Sequence, residues 1–515
     1  MTTIETSLRQ SPALLPGLAL LLSTVLTAPF LARCPSHPFS NPKHPALLHH
    51  LLLPQLISTL TLYAPIPRRL KPYLAFPPIF ACYYTLLGTS SPISPPTGYA
   101  IGTFIAFHSF KCLELFIFTP PPERRPTGFW DAVGLSANMR GIGEEFCTPL
   151  PRERDLVVTE SGERKIDRSR WWRRRIIRLL VVWIWLDVLT WWMRYADAGY
   201  YTPIRLGMAE SVEKVYLFPG TRNAAHDQQM ANVTVPLPFD LEPPLEGTWT
   251  RTGVDAAVYT LRILLAGTAI IGAITGAQCA ISIVLAGLGE ITGYRKGWCG
   301  IEAWPDTFGH PQEGDFGYGI RGFWSRGWHQ LFRRVFIAPV EWAFPRTSKK
   351  AVANGTTNKT TNEKFLSSNG GWRRSARKLG YSIVPFFLSS LLHFLGVWTA
   401  SLPNRGWGAF QFFLLQPLGV FIETPLLQLR SSSTGTRRQI LKVMVYIWTV
   451  TWLVITARGF FEEYRWSGLW WTEPVPFRWI GEGGKLTWRW GGQWMRWAHG
   501  AEGGIAGDWG IVFCG

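Results

Sequence analysis

A series of apolar runs, each long enough to cross a bilayer, restricts the fold of this chain more than any other feature. Hydrocarbon offers no hydrogen-bond partner to backbone N–H and C=O groups, so a run of this length must satisfy them internally as a helix. The sequence therefore predicts an all-α, polytopic membrane protein of about nine transmembrane helices, accompanied by re-entrant and interfacial helices. The predicted spans are 13–33, 47–65, 72–88, 99–118, 176–195, a region within 254–290, 379–401, 406–428 and 438–458.

The composition agrees with a membrane location and argues against nucleic-acid binding. Hydrophobic residues make up 47% of the 515 residues, and the formal net charge is +18. The basic residues are concentrated beside the apolar runs, where Lys and Arg set membrane orientation, so we expect contact with membrane lipid and no nucleic-acid partner. The seven cysteines have no spacing typical of zinc or of a disulfide framework, so no metal is predicted.

The positions of Lys and Arg predict a cytoplasmic N-terminus, a retained first span and a lumenal segment 196–250. The lumenal segment carries the sequon Asn232-Val-Thr, which predicts glycosylation of Asn232. The region 254–290 is compatible with one long tilted helix, a helix plus a re-entrant piece, or three short passes. Gly272 and Gly276 stand at GxxxG spacing, which indicates close helix packing without fixing the number of crossings.

His393 lies deep within the apolar run 379–401. An ionisable side chain in hydrocarbon is costly, so it usually faces a protein interior or a water-filled cavity and marks a functional site. A neutral imidazole in such a place can accept a proton at physiological pH, which makes His393 a candidate general base. The alternative is a histidine that hydrogen-bonds between helices as a packing element.

His329 lies in a basic, tryptophan-rich loop, 321–330, which follows the turn-rich stretch Trp304–Gly309. Aromatic faces combined with guanidinium groups form a surface able to bind a flat, phosphate-bearing group such as the head of coenzyme A. The alternative is a Trp/Arg anchor at the membrane edge. The residues expected to contact that group are Trp324, Arg326, Trp328, Gln330 and Arg333, with Arg334 beside them on the side where coenzyme A enters.

Three further features lie along the chain. Arg140, in the stretch Asn138–Gly143, has glycines beside it that let a backbone approach a phosphate closely, although a structural turn explains the same pattern. Asp187 and Glu423 are carboxylates within predicted spans, so each must be neutral, paired or facing a cavity. We expect structural pairing for both.

In their order and spacing over 130–475, these motifs resemble the wax-synthase-like branch of the membrane-bound O-acyltransferases. The likeness is greatest to fungal members that acetylate terpenoids and other secondary metabolites. Glu144 stands where that family often has an aromatic residue. The stretches that carry the resemblance are Asn138-x-Arg-Gly-Ile-Gly143, Trp304-Pro-x-x-Phe-Gly309, Arg321-Gly-Phe-Trp-x-Arg-x-Trp-His-Gln330, Ser390-Leu-Leu-His393 and Gly468-Leu-Trp-Trp-x-x-Pro-x-Pro476.

The resemblance implies transfer of an acyl group to a hydroxyl in the endoplasmic reticulum membrane, within a central reaction chamber. It implies acyl-CoA as a co-substrate with no bound cofactor, and a lipophilic alcohol as the acceptor. In such proteins the intramembrane histidine is catalytic, a role that carries over to His393, and a second polar residue of the loop corresponds to His329.

Four regions are expected on this basis. Residues 1–118 hold the N-terminal transmembrane helices, and 119–175 form a cytoplasmic loop with the Arg-Gly-Ile-Gly motif. Residues 176–458 form the catalytic, wax-synthase-like membrane domain, and 459–515 form an interfacial tail rich in Trp and Gly.

The expected mechanism is direct attack of the alcohol on the thioester. His393 takes the hydroxyl proton, and no acyl-enzyme is expected because no serine or cysteine stands in a convincing nucleophile arrangement. His329, with Trp328 and Gln330, orients the thioester or polarises its carbonyl. Two alternatives stay open: a long-chain wax-ester or sterol O-acyltransferase, and a membrane transporter, which would leave the Trp-His-Gln loop unexplained.

Overall fold

Helices dominate the structure, a computed structural model, throughout the part of the chain that it describes. The first predicted span, Arg140 and Asn232 lie outside the described residues, so the interpretations that concern them stay predictions. The described residues are 46–87, 95–118, 126, 128–139, 156–158, 164–193, 200, 249–295, 297–309, 318–344, 362–400, 406–466, 469–471, 477–480, 486–490, 496–499 and 509–512.

The described helices follow the apolar runs of the sequence. Each predicted span from 47–65 onward coincides with one of them. The helices are α1 Ala46–Tyr63, α2 Lys71–Leu87, α3 Pro95–Leu113, α4 Phe129–Ala137, α5 Arg168–Trp191, α6 Trp249–Thr292, α7 Gly319–Gly322, α8 Arg333–Ala343, α9 Asn362–Ala400, α10 Trp407–Ser431 and α11 Gly435–Trp466.

Five helices within the described residues are long and apolar enough to cross a membrane. A helical, multi-pass membrane protein is therefore confirmed, whereas the number nine stays a prediction. The five segments are Gly98–Phe118, Ala256–Thr292, Trp372–Ala400, Trp407–Ser431 and Gly435–Arg465.

The region 254–290 forms one continuous helix, α6, which is the first of the three arrangements that its sequence allowed. Its glycines face α5. A Cβ atom added to Gly272 would lie 3.0 Å from Leu186, and one added to Gly276 would lie 3.2 Å from Val182. The close helix packing predicted from the GxxxG spacing is confirmed.

Short antiparallel hairpins accompany the helices, and the all-α interpretation did not predict them. In β4, the apolar residues Leu486, Trp488 and Trp490 alternate with the polar residues Thr487 and Arg489, a pattern that favours an extended strand over a helix. Helix α11 also runs beyond residue 458, where the interfacial tail was expected to begin. The strands are β1 Leu156–Val158, β2 Arg164–Ile166, β3 Phe477–Ile480, β4 Leu486–Trp490, β5 Arg496–His499 and β6 Trp509–Val512, paired in that order as β1 with β2, β3 with β4 and β5 with β6.

Helices α3, α9, α10 and α11 pack in succession, each against the next. Small residues let α3 and α9 approach closely: a Cβ atom on Gly98 would lie 2.5 Å from the carbonyl oxygen of Thr399, and one on Gly396 would lie 2.8 Å from the ring of Tyr99. The hydroxyl of Thr399 donates to the carbonyl of Gly98 across the same contact, at 2.7 Å. This packing places Tyr99, near the start of α3, against α9.

An apolar core forms where α10 and α11 meet. Its aromatic members surround part of α9 and include one residue of the 3-10 turn Leu469–Trp471. We call these side chains the aromatic cluster: Tyr200, Phe412, Phe413, Phe460, Phe461, Tyr464 and Trp470.

Candidate active site

His393 lies on α9 with its ring against the aromatic cluster. Its Nδ1 lies 2.5 Å from the hydroxyl oxygen of Tyr99. The imidazole stacks on Phe413, with ring centroids 4.2 Å apart and planes 7° apart, and Phe460 approaches it edge-on at 5.8 Å. These contacts fix the plane of the imidazole and turn it toward the protein interior.

His329 follows the π-helical turn Phe323–Gly327. Three aromatic rings surround it: Trp328 at a centroid distance of 5.4 Å, Phe332 at 5.7 Å and Phe308 at 5.8 Å. The loop therefore presents His329 among aromatic faces, as the Trp-rich sequence led us to expect.

The two histidines lie at the edges of one continuous aromatic region. The ring of Trp328 lies beside His329 and 5.5 Å from Trp324, which in turn lies 5.6 Å from Phe413, the residue stacked on His393. The structure thus brings both predicted catalytic residues to the same region, while their roles stay predictions.

Trp324 is held in place by a buried glutamine that sequence interpretation did not find. The indole Nε1 of Trp324 donates to Oε1 of Gln416 at 3.1 Å. The Nε2 of Gln416 donates to the carbonyl of Phe412 at 2.7 Å and to the hydroxyl of Thr456 at 3.1 Å. Gln416 therefore ties the loop to α10 and α11, and both hydrogens of its amide are used in doing so.

Gln330 and Arg333 hold the backbone of the loop. Nε2 of Gln330 donates to the carbonyls of Trp328, at 2.7 Å, and Trp324, at 3.1 Å. Nη1 of Arg333 donates to the carbonyl of Ser325 at 3.0 Å, and burial lowers the pKa of Arg333 below its ordinary value. Both residues were predicted to contact acyl-CoA; the structure gives them a bracing role, and substrate contact stays a prediction.

Arg326 is exposed beside the loop and stacks on Tyr318. Its guanidinium carbon lies 4.9 Å from the centre of that ring, and the guanidinium carbon of Arg430, at the end of α10, lies 5.4 Å from it. Two guanidinium groups on one exposed tyrosine form a positively charged edge of the loop, a surface suited to phosphate.

Asp306, within Trp304–Gly309, anchors that stretch to α5. Arg178 lies 2.6 Å from Oδ1 of Asp306, with Arg175 at 3.4 Å and Arg174 at 3.7 Å. Burial opposes ionisation of this carboxyl, but the hydrogen bond and charge of Arg178 and the charges of the other two arginines outweigh it, so the pKa of Asp306 is lowered. Sequence interpretation assigned these arginines to membrane orientation alone.

The sequence places Arg334 on the side where coenzyme A enters, but the structure uses its side chain inside the protein. Arg334 is buried, with its Nε 2.8 Å from Oε1 of Glu114 and its Nη1 2.7 Å from Oε2 of Glu341. Glu114 also accepts from Lys111 at 2.9 Å. A buried arginine that pairs with two carboxylates joins α8 to the end of α3 and has no face toward a soluble substrate.

Glu423 is buried in α10 and holds the start of the loop. Its two oxygens accept the backbone N–H groups of Ile320, at 2.6 Å, and Arg321, at 2.9 Å. Gly319 precedes them with a positive φ of 76°, a conformation that favours glycine. The structural pairing predicted for Glu423 is confirmed.

Sequence interpretation missed the residues that surround His393. Tyr99 is 294 positions away from it along the chain, so no local spacing connects the two. Phe413 is an aromatic residue in an apolar run and Tyr464 lies just beyond one, and core packing is the ordinary explanation for both. The one usable signal was Gly396, because a glycine three residues after His393 indicates that another helix approaches there.

The fold and the site define a multi-pass membrane protein with a histidine enclosed in its helical core. Residues 304–415 match the model of the membrane bound O-acyl transferase family. That stretch includes the Asp306 anchor, His329 and His393. The similarity to that family thus covers this stretch, about a fifth of the chain.

Parts of the chain are also similar to fungal proteins. The chain is 27% identical over 183 residues to O-Mevalon transferase yanI of Aspergillus niger, which covers 33% of this chain and 34% of that protein. It is 27% identical over 132 residues to O-Mevalon transferase macI of Penicillium terrestre. This alignment covers 25% of this chain and 27% of that protein. It is 26% identical over 181 residues to Acetyltransferase eriL of Hericium erinaceus. This alignment covers 34% of this chain and 38% of that protein.

The alignments thus span between 27% and 38% of the length of these three relatives. No solved structure matches the chain.

Proposed function

We propose that the protein is an acyl-CoA-dependent O-acyltransferase of the endoplasmic reticulum membrane. The acyl group is acetyl, and the acceptor is a hydroxyl of a terpenoid or another lipophilic secondary metabolite. The setting of His393 supports this function best: Tyr99 engages Nδ1, whereas no side chain in the described part of the chain hydrogen-bonds Nε2. A general base needs this arrangement, in which one nitrogen is held and the other is open.

His108 provides a contrast within the same protein. It too lies in an apolar helix, where it is buried, but its Nδ1 lies 2.6 Å from the hydroxyl of Tyr83 and its Nε2 lies 3.1 Å from the hydroxyl of Ser58. With both nitrogens engaged, His108 is a packing element between helices. The open nitrogen of His393 favours chemistry over packing.

In the proposed reaction the hydroxyl oxygen of the acceptor attacks the carbonyl carbon of the thioester. Nε2 of His393 takes the hydroxyl proton as the new C–O bond forms. The C–S bond then breaks, and the imidazolium returns the proton to the leaving sulfur, which departs as the thiol of coenzyme A. His329 acts on the thioester side, where a donor stabilises the oxygen that becomes negative.

Direct transfer fits the described residues better than an acyl-enzyme. Ser390, one turn before His393, donates its hydroxyl to the carbonyl of Phe386 at 2.8 Å. Cys112 lies 3.7 Å and 3.8 Å from the two nitrogens of His108, nearly equidistant from both, so neither nitrogen is aimed at its sulfur. A nucleophile must point at its base, and neither residue does so.

The two substrates arrive from different phases. The exposed edge formed by Arg326, Arg430 and Tyr318 suits the phosphates of coenzyme A at the aqueous side. The lipophilic acceptor reaches His393 from the membrane, through the apolar surroundings of α9 and α10. The aromatic cluster keeps water from the reacting atoms, which limits hydrolysis of the thioester.

The names of the relatives support two acyl groups. Acetyl is the first choice because eriL is named an acetyltransferase. A mevalonate-derived group is the second candidate, since yanI and macI are named O-Mevalon transferases.

The experiment that tests the proposal measures release of coenzyme A and formation of ester by membranes that contain the protein. Acetyl-CoA, a mevalonate-derived thioester and palmitoyl-CoA are each supplied with a panel of terpenoid, fatty and sterol alcohols. We expect turnover with acetyl-CoA and a terpenoid alcohol, and a fall of about 10²–10⁴-fold in His393→Ala, the range that general-base catalysis contributes.

Phe387→Ala is the matched control, because this residue lies on the same helix with its side chain exposed. It should retain turnover. Near-normal turnover by His393→Ala would exclude the proposed base. Turnover with palmitoyl-CoA alone would replace the acetyl assignment with a wax-ester or sterol acyltransferase, and flux of an alcohol without release of coenzyme A would favour a transporter.

A further inference from the structure

Phe413 of α10 lies face to face with the imidazole of His393. The two ring centroids are 4.2 Å apart, and the planes differ by 7°. The other two rings beside His393 in the described part of the chain are oriented differently: Phe460 is nearly perpendicular, at 85° and 5.8 Å, and Tyr99 is tilted by 36° at 6.3 Å. Among these neighbours, Phe413 is the residue whose π face covers the imidazole.

This arrangement suits a charged imidazole better than a neutral one. The face of an aromatic ring is negative, so two neutral rings prefer an offset or an edge-to-face contact, with centroids about 4.5–7 Å apart. The pair of Phe413 and His393 is closer than this range. A cation within about 6 Å of a ring centroid is instead attracted to the face. The contact therefore becomes more favourable when His393 takes a proton.

The surroundings of His393 make such a contribution important. In a catalytic triad, a carboxylate bonded to the imidazole stabilises the imidazolium. His393 forms no ion pair in the described part of the chain, and the group on its Nδ1 is the neutral hydroxyl of Tyr99. A charge enclosed by aromatic side chains also loses hydration, which is costly. The face of Phe413 offsets part of that cost.

Neighbouring rings hold Phe413 against His393. Phe413 is buried, and Phe412, Trp324 and Phe460 lie beside it at centroid distances of 4.8, 5.6 and 5.8 Å. The hydrogen bond from Trp324 to Gln416 fixes one of these neighbours. Because Phe413 cannot slide away, its face is already in place before any charge forms, and no rearrangement is needed during the reaction.

We propose that Phe413 stabilises the imidazolium of His393 that forms when Nε2 takes the proton of the acceptor hydroxyl. The inference rests on the proposed function, in which His393 is that base. The imidazolium exists only between attack of the alcohol and departure of the thiol, so the contact favours the transition state over the ground state. Because it acts through the base, Phe413 is a positioning residue rather than a catalytic one.

The test replaces Phe413, at a reassigned stop codon, with phenylalanines that carry one, two or three fluorine atoms on the ring. Fluorine withdraws negative charge from the face and weakens a cation–π contact stepwise, while the ring keeps nearly the same size. We expect log kcat for ester formation to fall with each fluorine, reaching a loss of about 10- to 30-fold with three. The KM for acyl-CoA should stay nearly unchanged, because the contact acts in the transition state.

Phe104 provides the matched control, because its ring is also nearly parallel to that of a histidine. It lies on α3, one turn before His108, with planes 14° apart and centroids 5.7 Å apart. Both nitrogens of His108 are engaged by other side chains, so this histidine takes no proton in the proposed reaction. The same fluorine series at Phe104 should therefore leave kcat unchanged.

Two results would overturn the inference. A flat series at Phe413, even with an impaired Phe413→Leu, would leave this residue a packing role alone. An equal decrease at Phe104 would show that fluorine disturbs the fold in general. The variant His393→Ala separates this inference from the proposed function: near-normal turnover rejects the base itself, whereas an inactive His393→Ala with a flat series at Phe413 rejects only the role of Phe413.

Discussion

Replacing Gly396 with alanine tests whether the distance between α3 and α9 sets the catalytic geometry. Gly396 lies one turn after His393, and its Cα faces the ring of Tyr99. An added Cβ atom would lie 2.8 Å from Cε2 of Tyr99 and 2.8 Å from Cγ2 of Thr103. The ordinary separation of two carbon atoms in contact is about 3.5–4.0 Å, so the ring of Tyr99 must recede by roughly 0.7–1.2 Å.

That displacement is large for the hydrogen bond and small for the fold. The bond between Tyr99 and His393 is 2.5 Å long, and an added displacement of roughly 0.7–1.2 Å takes it to or beyond the upper limit of about 3.2 Å for a good hydrogen bond. Overpacking costs about 1–3 kcal/mol, but alanine regains about 1 kcal/mol of helix propensity over glycine. We expect a net loss of stability of at most about 2 kcal/mol.

Activity should fall much further than stability. A misplacement of about 1 Å at an active site can lower the rate about 10²-fold, so we expect kcat to fall roughly 10- to 100-fold in Gly396→Ala. The measurements are ester formation by membranes and the melting temperature of the detergent-solubilised protein. Gly267→Ala is the matched control, because it lies in the span Ala256–Thr292 with open space around its Cα. Full kcat in Gly396→Ala would refute the argument that close packing holds the tyrosine on the imidazole.

Two further predictions concern residues away from the reacting atoms. Asp306→Asn should lower the free energy of unfolding by roughly 3 kcal/mol, because it leaves three arginines without their shared carboxylate. Folding lowers the pKa of Asp306, so the ionised carboxylate stabilises the folded protein fully above the ordinary aspartate pKa, and this stabilisation is lost as the pH falls through the lowered pKa. The melting temperature of Asp306→Asn, measured against pH, should lack this acid-dependent decrease. His108→Gln should lower the melting temperature, because it disturbs the bonds to Tyr83 and Ser58, yet keep kcat per folded molecule; loss of kcat without loss of stability would contradict the packing role.

The membrane helices could be predicted because their cause is local. An apolar run must hydrogen-bond its own backbone in lipid, so α9 and α10 follow from their sequences alone. The same rule does not determine how many times the region 254–290 crosses the membrane, since its length permits several crossings. Only packing decides that case, and the glycines of α6 against α5 favour one continuous helix.

The surroundings of the candidate base could not be predicted, because they depend on which helices become neighbours. His108 and His393 look alike in sequence, since each is a histidine within an apolar run. The structure separates them through their partners: Tyr83 and Ser58 occupy both nitrogens of His108, while Tyr99 occupies one nitrogen of His393. The position of each histidine within an apolar run does not show which of the two is functional. Their hydrogen-bond partners distinguish them.

The loop motif shows why a sequence pattern can identify a site and still mislead about individual roles. Trp-His-Gln was interpreted as a substrate-binding set, but the amide of Gln330 is used on the carbonyls of its own loop. Glu423 fixes the start of the loop, and Asp306 fixes the stretch before it. A buried loop must satisfy its own backbone before it can present a side chain to a ligand. Most of its polar residues therefore support the backbone, and His329 is the member left facing the aromatic region that it shares with His393.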